Sequence, residues 1–178
     1  MSRNTARFFV GLMTCAVIGS VAVRSHLSRA QVATPPPVTI PEGWKRIDLN
    51  DFSFYAPPDM KNQNVRGIDS AVWEFRNRAL NLNIDYGMYS NDLKSYENQP
   101  EYKAEWLYID GKKAKVATFR MSDEDTAGSP LKDLKYVSAV YFPDVGGGGD
   151  TKLTFWANCI SPAAQGSART IFLSLKFK

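Results

Sequence analysis

The chain has 178 residues, 44% of them hydrophobic and 22% charged, which excludes a wholly disordered or fibrous protein and leaves room for one domain. It carries 22 lysines and arginines against 18 aspartates and glutamates, and four of its arginines precede residue 31. The rest of the chain is electrically balanced, so we expect no nucleic acid as a partner.

The N-terminus predicts an export signal. An uncharged, largely apolar run covers residues 8–23 between Arg7 and Arg24, and it is shorter than the roughly 18–20 residues that usually span a bilayer. Small residues make Ala22 and Ala30 the candidate cleavage sites. An uncleaved anchor is the alternative, so residues 1–30 are interpreted as a signal peptide or a membrane anchor. The protein is predicted to be exported, to the periplasm or outside the cell.

Residues 31–41 predict a proline-rich linker, because prolines without hydrophobic periodicity favour an extended chain. A single α+β domain is expected over residues 42–178. It starts with "GWKRIDLNDFSFYAPP", in which two alternating stretches predict a hairpin that turns at Asn50 and Asp51.

The following segments predict more hairpins. Residues 80–88 alternate strictly, with Leu80, Leu82, Ile84, Tyr86 and Met88 on one face, which is typical of a half-buried strand. Residues 91–100 are polar and indicate a short helix or a loop. The Asp-Gly pair at 110–111 predicts a tight turn between two strands.

A helix is predicted at the C-terminus, at about residues 162–175. Ser161 is a suitable N-cap and Pro162 a suitable first helical residue. The predicted apolar face consists of Ala164, Ala168, Ile171, Phe172 and Leu175. The expected fold is therefore α+β, with a single antiparallel β-sheet built from hairpins and the C-terminal helix packed on it.

Four consecutive glycines, residues 146–149, raise the question of a phosphate-binding loop. Such a loop needs a helix behind it, whose N-terminal amides hold the anion. Here Asp150 and then a strand-like run follow the glycines, so the pattern favours a hairpin loop.

The folded region lacks the residues of common catalytic devices. His26 is the only histidine and lies in the predicted leader, which excludes Ser-His-Asp and Cys-His catalysis and histidine-ligated metals. We predict no catalytic residue, metal or cofactor. Glu74 and Asp85, on neighbouring predicted strands, are the alternative: with or without Arg120, they would serve a carboxylate-based enzyme acting on envelope saccharides or lipids.

Cys159 would be the only cysteine of a cleaved chain, and it is predicted to be a small buried residue near the end of a strand. The alternative is a redox-sensitive dimer linked through its thiol.

The four tryptophans are predicted to belong mainly to the core, as strand-borne tryptophans usually do. An aromatic-lined binding groove is the alternative. Its candidate residues lie close together in sequence: Tyr86, Tyr89, Tyr102 and Tyr108.

Several short phrases together resemble one group of proteins. After the leader come "PEGW", "FSFYAPPDM", "GIDSAVWEF", "LNLNIDYGMYS", "IDGKKAKV" and "IFLSLKF", which from about Ile40 onward look like the small exported PsbP-like and DcrB-like modules. Members of that group have an antiparallel sheet flanked by helices, and the named ones mostly serve as accessory factors of larger complexes. The resemblance implies an accessory or binding module without enzymatic activity, whose partner would be an envelope or membrane protein complex. It assigns no site residue and no oligomeric state.

Overall fold

A computed structural model of the chain describes residues Val32–Lys178. The predicted leader, with Ala22 and Ala30, lies outside the described residues. The described strands are β1 (Lys45–Asp48), β2 (Phe52–Ala56), β3 (Lys61–Asn62), β4 (Ala71–Arg76), β5 (Leu80–Gly87), β6 (Lys103–Ile109), β7 (Lys112–Arg120), β8 (Tyr136–Phe142), β9 (Lys152–Cys159) and β10 (Lys176–Phe177). A 3-10 turn covers Lys94–Tyr96, and the α-helices are α1 (Asp123–Thr126) and α2 (Pro162–Leu173).

Seven strands form one antiparallel sheet in the order β3-β4-β5-β9-β8-β7-β6. The predicted hairpins account for much of this order. The Asp-Gly turn joins β6 to β7, with positive φ at Asp110 and Gly111, as such a turn requires. The glycine run joins antiparallel β8 and β9, so the predicted hairpin loop is confirmed.

The prediction of a single sheet is wrong, because β1, β2 and β10 form a second, three-stranded sheet. The predicted hairpin of β1 and β2 is confirmed, but it packs against the large sheet through Phe52 and Phe54 instead of extending it. Pro57 and Pro58 end β2, and proline cannot donate to a strand ladder. The free edge of β2 is taken by β10, which follows the C-terminal helix.

Helix α2 packs on the large sheet, as predicted, but it ends two residues earlier than expected. The Ser161 hydroxyl accepts a hydrogen bond from the Ala164 amide at 3.3 Å, and Pro162 opens the first turn. Ser174 caps the other end, and its hydroxyl also accepts from the Tyr55 amide at 2.9 Å, which ties the helix to β2. Leu175 is buried, but it lies beyond the helix.

The large sheet has two unlike faces. Its inner face, the side covered by β2 and α2, carries the main core, in which Phe155 lies against Phe52, Phe54 and Phe172 at ring-centroid distances of 5.7, 5.3 and 6.0 Å. The predicted alternation along β5 is confirmed for Leu80, Leu82, Ile84 and Tyr86, which belong to this core, whereas Met88 lies past the strand and is exposed.

The described part of the predicted linker contacts the domain. The Ala33 carbonyl accepts a hydrogen bond from the Tyr108 amide at 2.9 Å, which forms a short parallel bridge to β6. Residues 34–38 then border a depression with Tyr108, Leu173 and Lys176. The proline-rich segment therefore covers part of the β6 edge.

Candidate functional site

The outer face of the large sheet, opposite the main core, is only partly covered. Residues 88–102 leave β5, cross this face and return at β6, and in doing so they build a second apolar cluster. Leu93 is fully buried there, and Tyr96 stacks on Phe119 at 5.4 Å and contacts Trp156 at 4.6 Å between ring centroids. This cluster covers β7, β8 and part of β9.

Side-chain hydrogen bonds fix the start of the covering segment. Thr154 of β9 donates to the Asn91 carbonyl at 2.8 Å, and the Asn91 side chain accepts from the Leu93 amide at 2.7 Å. Leu93 has a positive φ of 65°, a conformation that few non-glycine residues adopt. Burial of the Leu93 side chain compensates for the unfavourable backbone conformation and holds the segment in place.

Between this segment and residue Val65 lies a cleft of about 410 Å³, with strands β4, β5 and β9 as its floor. We call it the outer cleft. Tyr96 and Trp156 form its aromatic side, and Val65 and Val72 form its aliphatic side. Trp156 donates its indole N–H to Asn158 at 2.8 Å, which fixes the ring and leaves its apolar surface for the cleft.

Two carboxylates lie in the outer cleft. Glu74 of β4 pairs in register with Asn83 of β5, and Asp85 pairs with Val72, so the two acids are diagonal neighbours on one face. Both side chains are half-buried. The structure thus brings together the two acids that the sequence suggested as a pair.

The Asp85 carboxylate is incompletely satisfied. Its Oδ1 atom is buried and has no hydrogen-bond partner among the described residues, and the Oδ1 of Asn81, further along the same face of β5, is in the same condition. Buried oxygen atoms without donors are uncommon, because leaving them unpaired costs free energy. The outer face of β5 therefore contains two buried acceptors that the described chain leaves unpaired, and of these two residues only Asp85 lines the outer cleft.

No lysine or arginine lines the outer cleft among the described residues. Arg76 and Lys152 lie on the same face of the sheet but border neighbouring depressions. Arg120, the third residue of the predicted carboxylate site, contacts Asp123 at 3.7 Å and does not line the cleft. The outer cleft is therefore acidic.

The four tyrosines suggested as a groove lie in separate places. Tyr86 faces the main core beside Phe52, where burial and the charge of Asp51 raise the pKa of its phenol. Tyr102 packs in the second cluster, Tyr89 is largely exposed, and Tyr108 lies beside the proline-rich segment. The structure does not gather them into one groove.

Two aromatic residues of the cleft, Tyr96 and Trp156, were not identified as site residues from the sequence. The sequence predicts a core position for Trp156, and this residue does pack in the second cluster, although it also borders the cleft. Trp106, by contrast, is exposed. A usable signal was the run of polar residues at alternate positions 81, 83 and 85, which marks an outer strand face.

A larger depression of about 660 Å³ lies at the far end of β4. Its charged residues are of both signs, because Lys61, Arg76 and Arg78 share it with Asp59 and Asp133. The Asn77 side chain donates to Asp59 at 2.9 Å. Mixed charges on exposed side chains give this depression no clear preference for a ligand.

One lysine is buried beside the second cluster. Burial alone would lower the pKa of Lys115, but its hydrogen bond to Glu97 and the nearby Tyr102 phenol outweigh it and raise the pKa above its usual value. The Lys115 ammonium lies 2.7 Å from the Glu97 carboxylate. This pair anchors the covering segment to β7, outside the outer cleft.

Cys159 ends β9 and is fully buried, as predicted. Burial raises the pKa of its thiol to about 12, so the reactive thiolate is scarce at neutral pH. The described residues include no group of three or more histidine, cysteine, aspartate or glutamate side chains placed to hold a metal ion.

Neither helix between Val32 and Lys178 has the length and apolar character that crossing a membrane requires. Comparison of the sequence with models of protein families and with curated proteins finds no match.

Proposed function

We propose that the protein is an exported binding module that holds a ligand in the outer cleft and performs no chemistry on it. The observation that carries this proposal is the make-up of the cleft: two half-buried carboxylates, Glu74 and Asp85, lie beside the fixed rings of Tyr96 and Trp156. Concave sites with an apolar wall and a few convergent polar groups are the usual form of ligand sites.

The position of the cleft supports binding. Its floor consists of paired strands near the middle of the sheet, which the main core supports from behind. A site on such strands keeps its geometry without a ligand, so little conformational entropy is lost on binding.

The leader and the resemblance to PsbP-like and DcrB-like modules support the wider setting. Both suggest a protein outside the cytoplasm, released by cleavage or held by its N-terminal segment. In that setting the module would act as an accessory factor of an envelope or membrane protein complex.

The test combines binding and turnover in one titration. Amide NMR spectra of the protein would be recorded with three small probes: N-acetylglucosamine as a neutral sugar, cadaverine as an amine, and acetate as an anion. We expect at least one probe to shift resonances of Asn83, Asp85 and the Trp156 indole, and to be recovered unchanged.

Two variants locate the binding. Asn83→Trp fills the cleft and should abolish the shifts, whereas Lys152→Trp, on the same face but outside the cleft, should retain them. The proposal would be overturned if none of the three probes changes the chemical shifts of the cleft residues. Conversion of a probe into a product would also overturn it.

A carboxylate-based enzyme is the second candidate, and one observation favours it: Glu74 and Asp85 line the same cleft. Paired carboxylates can act as general acid and base when both reach a substrate. This candidate predicts turnover of an envelope saccharide or lipid that Glu74→Gln and Asp85→Asn each abolish, with binding retained. If neither variant loses turnover, the carboxylate-based enzyme is rejected.

The geometry gives no support to a dimer linked through Cys159. The thiol is fully buried in the main core, so a disulfide to a second chain would require the end of β9 to open. Non-reducing electrophoresis after oxidation should show monomer.

A further inference from the structure

We infer that the ligand of the outer cleft carries an alkylammonium group, which lies against Asp85 and Glu74. This inference rests on the proposed binding function and adds the chemical class of the ligand. Three observations carry it: the charge of the cleft, the unsatisfied oxygen of Asp85, and the aromatic and aliphatic walls.

The charge of the cleft has one sign. Its ionisable acids are Glu74 and Asp85, and no lysine or arginine of the described chain lines it. Neither acid takes part in any salt bridge among the described residues, although eight such pairs occur elsewhere in that part of the chain. A cation entering the cleft would therefore meet two carboxylates that need not give up an existing partner.

The unsatisfied oxygen selects the kind of cation. An ionised carboxylate only accepts hydrogen bonds, and Asp85 lines the cleft with an Oδ1 that is buried and has no donor, so we expect this carboxylate to turn toward a donor that enters the cleft. A primary ammonium brings both a positive charge and N–H donors, and such charge-assisted bonds are the stronger kind. A quaternary ammonium has no N–H to donate, and a neutral hydroxyl brings no charge, so each would satisfy only one of the two requirements.

The walls select an ammonium that has a carbon chain. Tyr96 and Trp156 present aromatic rings, and ring faces attract cations. Val65 and Val72 provide aliphatic surface across the cleft, on which a chain of methylene groups would pack. The volume of about 410 Å³ is ample for one such chain.

Two sources could supply this chemistry: a free diamine, or the side chain of a lysine on a peptide. The wild-type protein would be titrated with cadaverine and, separately, with the end-blocked tripeptide Gly-Lys-Gly. Each has a neutral counterpart of the same shape, pentanediol for the diamine and the norleucine tripeptide for the peptide. Binding is measured by the shift of the Trp156 indole N–H resonance.

We expect at least one ammonium probe to bind about tenfold or more tightly than its neutral counterpart. The probe that binds identifies the source. Its affinity should fall as salt is raised, because the interaction is between charges near the surface.

Variants assign the interaction to the two acids. Asp85→Asn should weaken ammonium binding by about tenfold or more, and Glu74→Gln by a smaller factor. Asp150→Asn, an exposed acid of the glycine loop, should leave it unchanged. Amide spectra check that each variant is folded, and the comparison of paired probes uses only the wild-type protein.

Equal binding of an ammonium probe and its neutral counterpart would overturn the inference. So would an absence of binding by both ammonium probes. If N-acetylglucosamine or acetate then still shifts the cleft resonances, the binding function stands with a different ligand class. If they do not, the binding function fails as well.

Discussion

The two faces of the seven-stranded sheet are built from the same strands and differ in almost every physical respect. The inner face is closed by β2 and α2 and contains interlocking phenylalanine rings. The outer face is covered over β7, β8 and part of β9 and left open over β4 and β5, where it bears half-buried acids.

This difference separates stability from recognition. Successive side chains of a strand point to opposite faces, so Phe155 can serve the core while its neighbour Trp156 lines a cleft. Changes on the inner face should reduce stability and leave the cleft chemistry alone. Changes in the open part of the outer face should alter binding in the cleft and cause no large loss of stability.

The largest expected effect lies on the inner face. Phe155→Ala removes a fully buried ring that contacts three others, so we expect the free energy of unfolding to fall by about 3–5 kcal/mol. Lys152→Ala, in the same strand but on the outer face, should change it by less than about 0.5 kcal/mol. Urea unfolding followed by tryptophan fluorescence measures both, and equal losses would contradict the contrast.

The next effect is a pH dependence from Cys159. Burial raises the pKa of the folded thiol from 9.0 to about 12, so the unfolded chain loses this proton at lower pH than the folded chain. The free energy of unfolding is therefore unaffected by this group below pH 9. It falls as the pH rises from 9 toward 12, by about 1.4 kcal/mol per pH unit.

Cys159→Ala provides the comparison, because it lacks the ionisable group. The stability difference between wild type and this variant should change between pH 9 and 12 and stay constant below that range. A difference that is flat over the whole range would show that the thiol is not desolvated. Native wild-type protein should also react with a thiol reagent only as it unfolds.

A smaller effect tests the covered part of the outer face. Glu97→Gln leaves the Lys115 ammonium without its counter-charge, so we expect a loss of about 1 kcal/mol in stability. Asp92→Asn breaks the exposed pair with Lys94 in the same segment and should cost less stability than Glu97→Gln, because solvent screens the pair. If the two variants lose equal stability, burial of Lys115 does not strengthen its ion pair with Glu97.

The smallest effect has the opposite sign. Asp85→Asn removes a half-buried charge that has no donor at Oδ1 and lies near Glu74, so stability at pH 7 should rise by about 0.5–1 kcal/mol. Asp150→Asn should have no measurable effect. A fall in the stability of Asp85→Asn would mean that Asp85 supports the fold instead of a ligand.

Local patterns in the sequence predicted most of the secondary structure. The alternation over 80–86, the Asp-Gly turn, and the Ser-Pro start of α2 each depend on interactions between residues near one another in the chain. Such interactions are visible without the fold. The apolar pattern places the end of α2 two residues too late, because Leu175 is buried although it lies beyond the helix, and its burial depends on packing with distant segments.

The candidate site was predicted only in part. The sequence suggested Glu74 and Asp85 as a pair, because neighbouring strands bring their side chains to one face. It did not indicate Tyr96 and Trp156, since their position beside the cleft depends on how residues 88–102 cross the sheet. The groove of four tyrosines was inferred from closeness in sequence. In the fold, those residues lie in separate regions of the molecule.

The sequence by itself determined the longer antiparallel strands, their hairpins and the C-terminal helix, because periodicity, turn residues and caps act over short distances. Only the tertiary structure decided that β2 lies outside the large sheet and pairs with β10. It also decided that the outer face stays open over Glu74 and Asp85. Both outcomes depend on packing between distant segments, and competition among such contacts has no local signature in the chain.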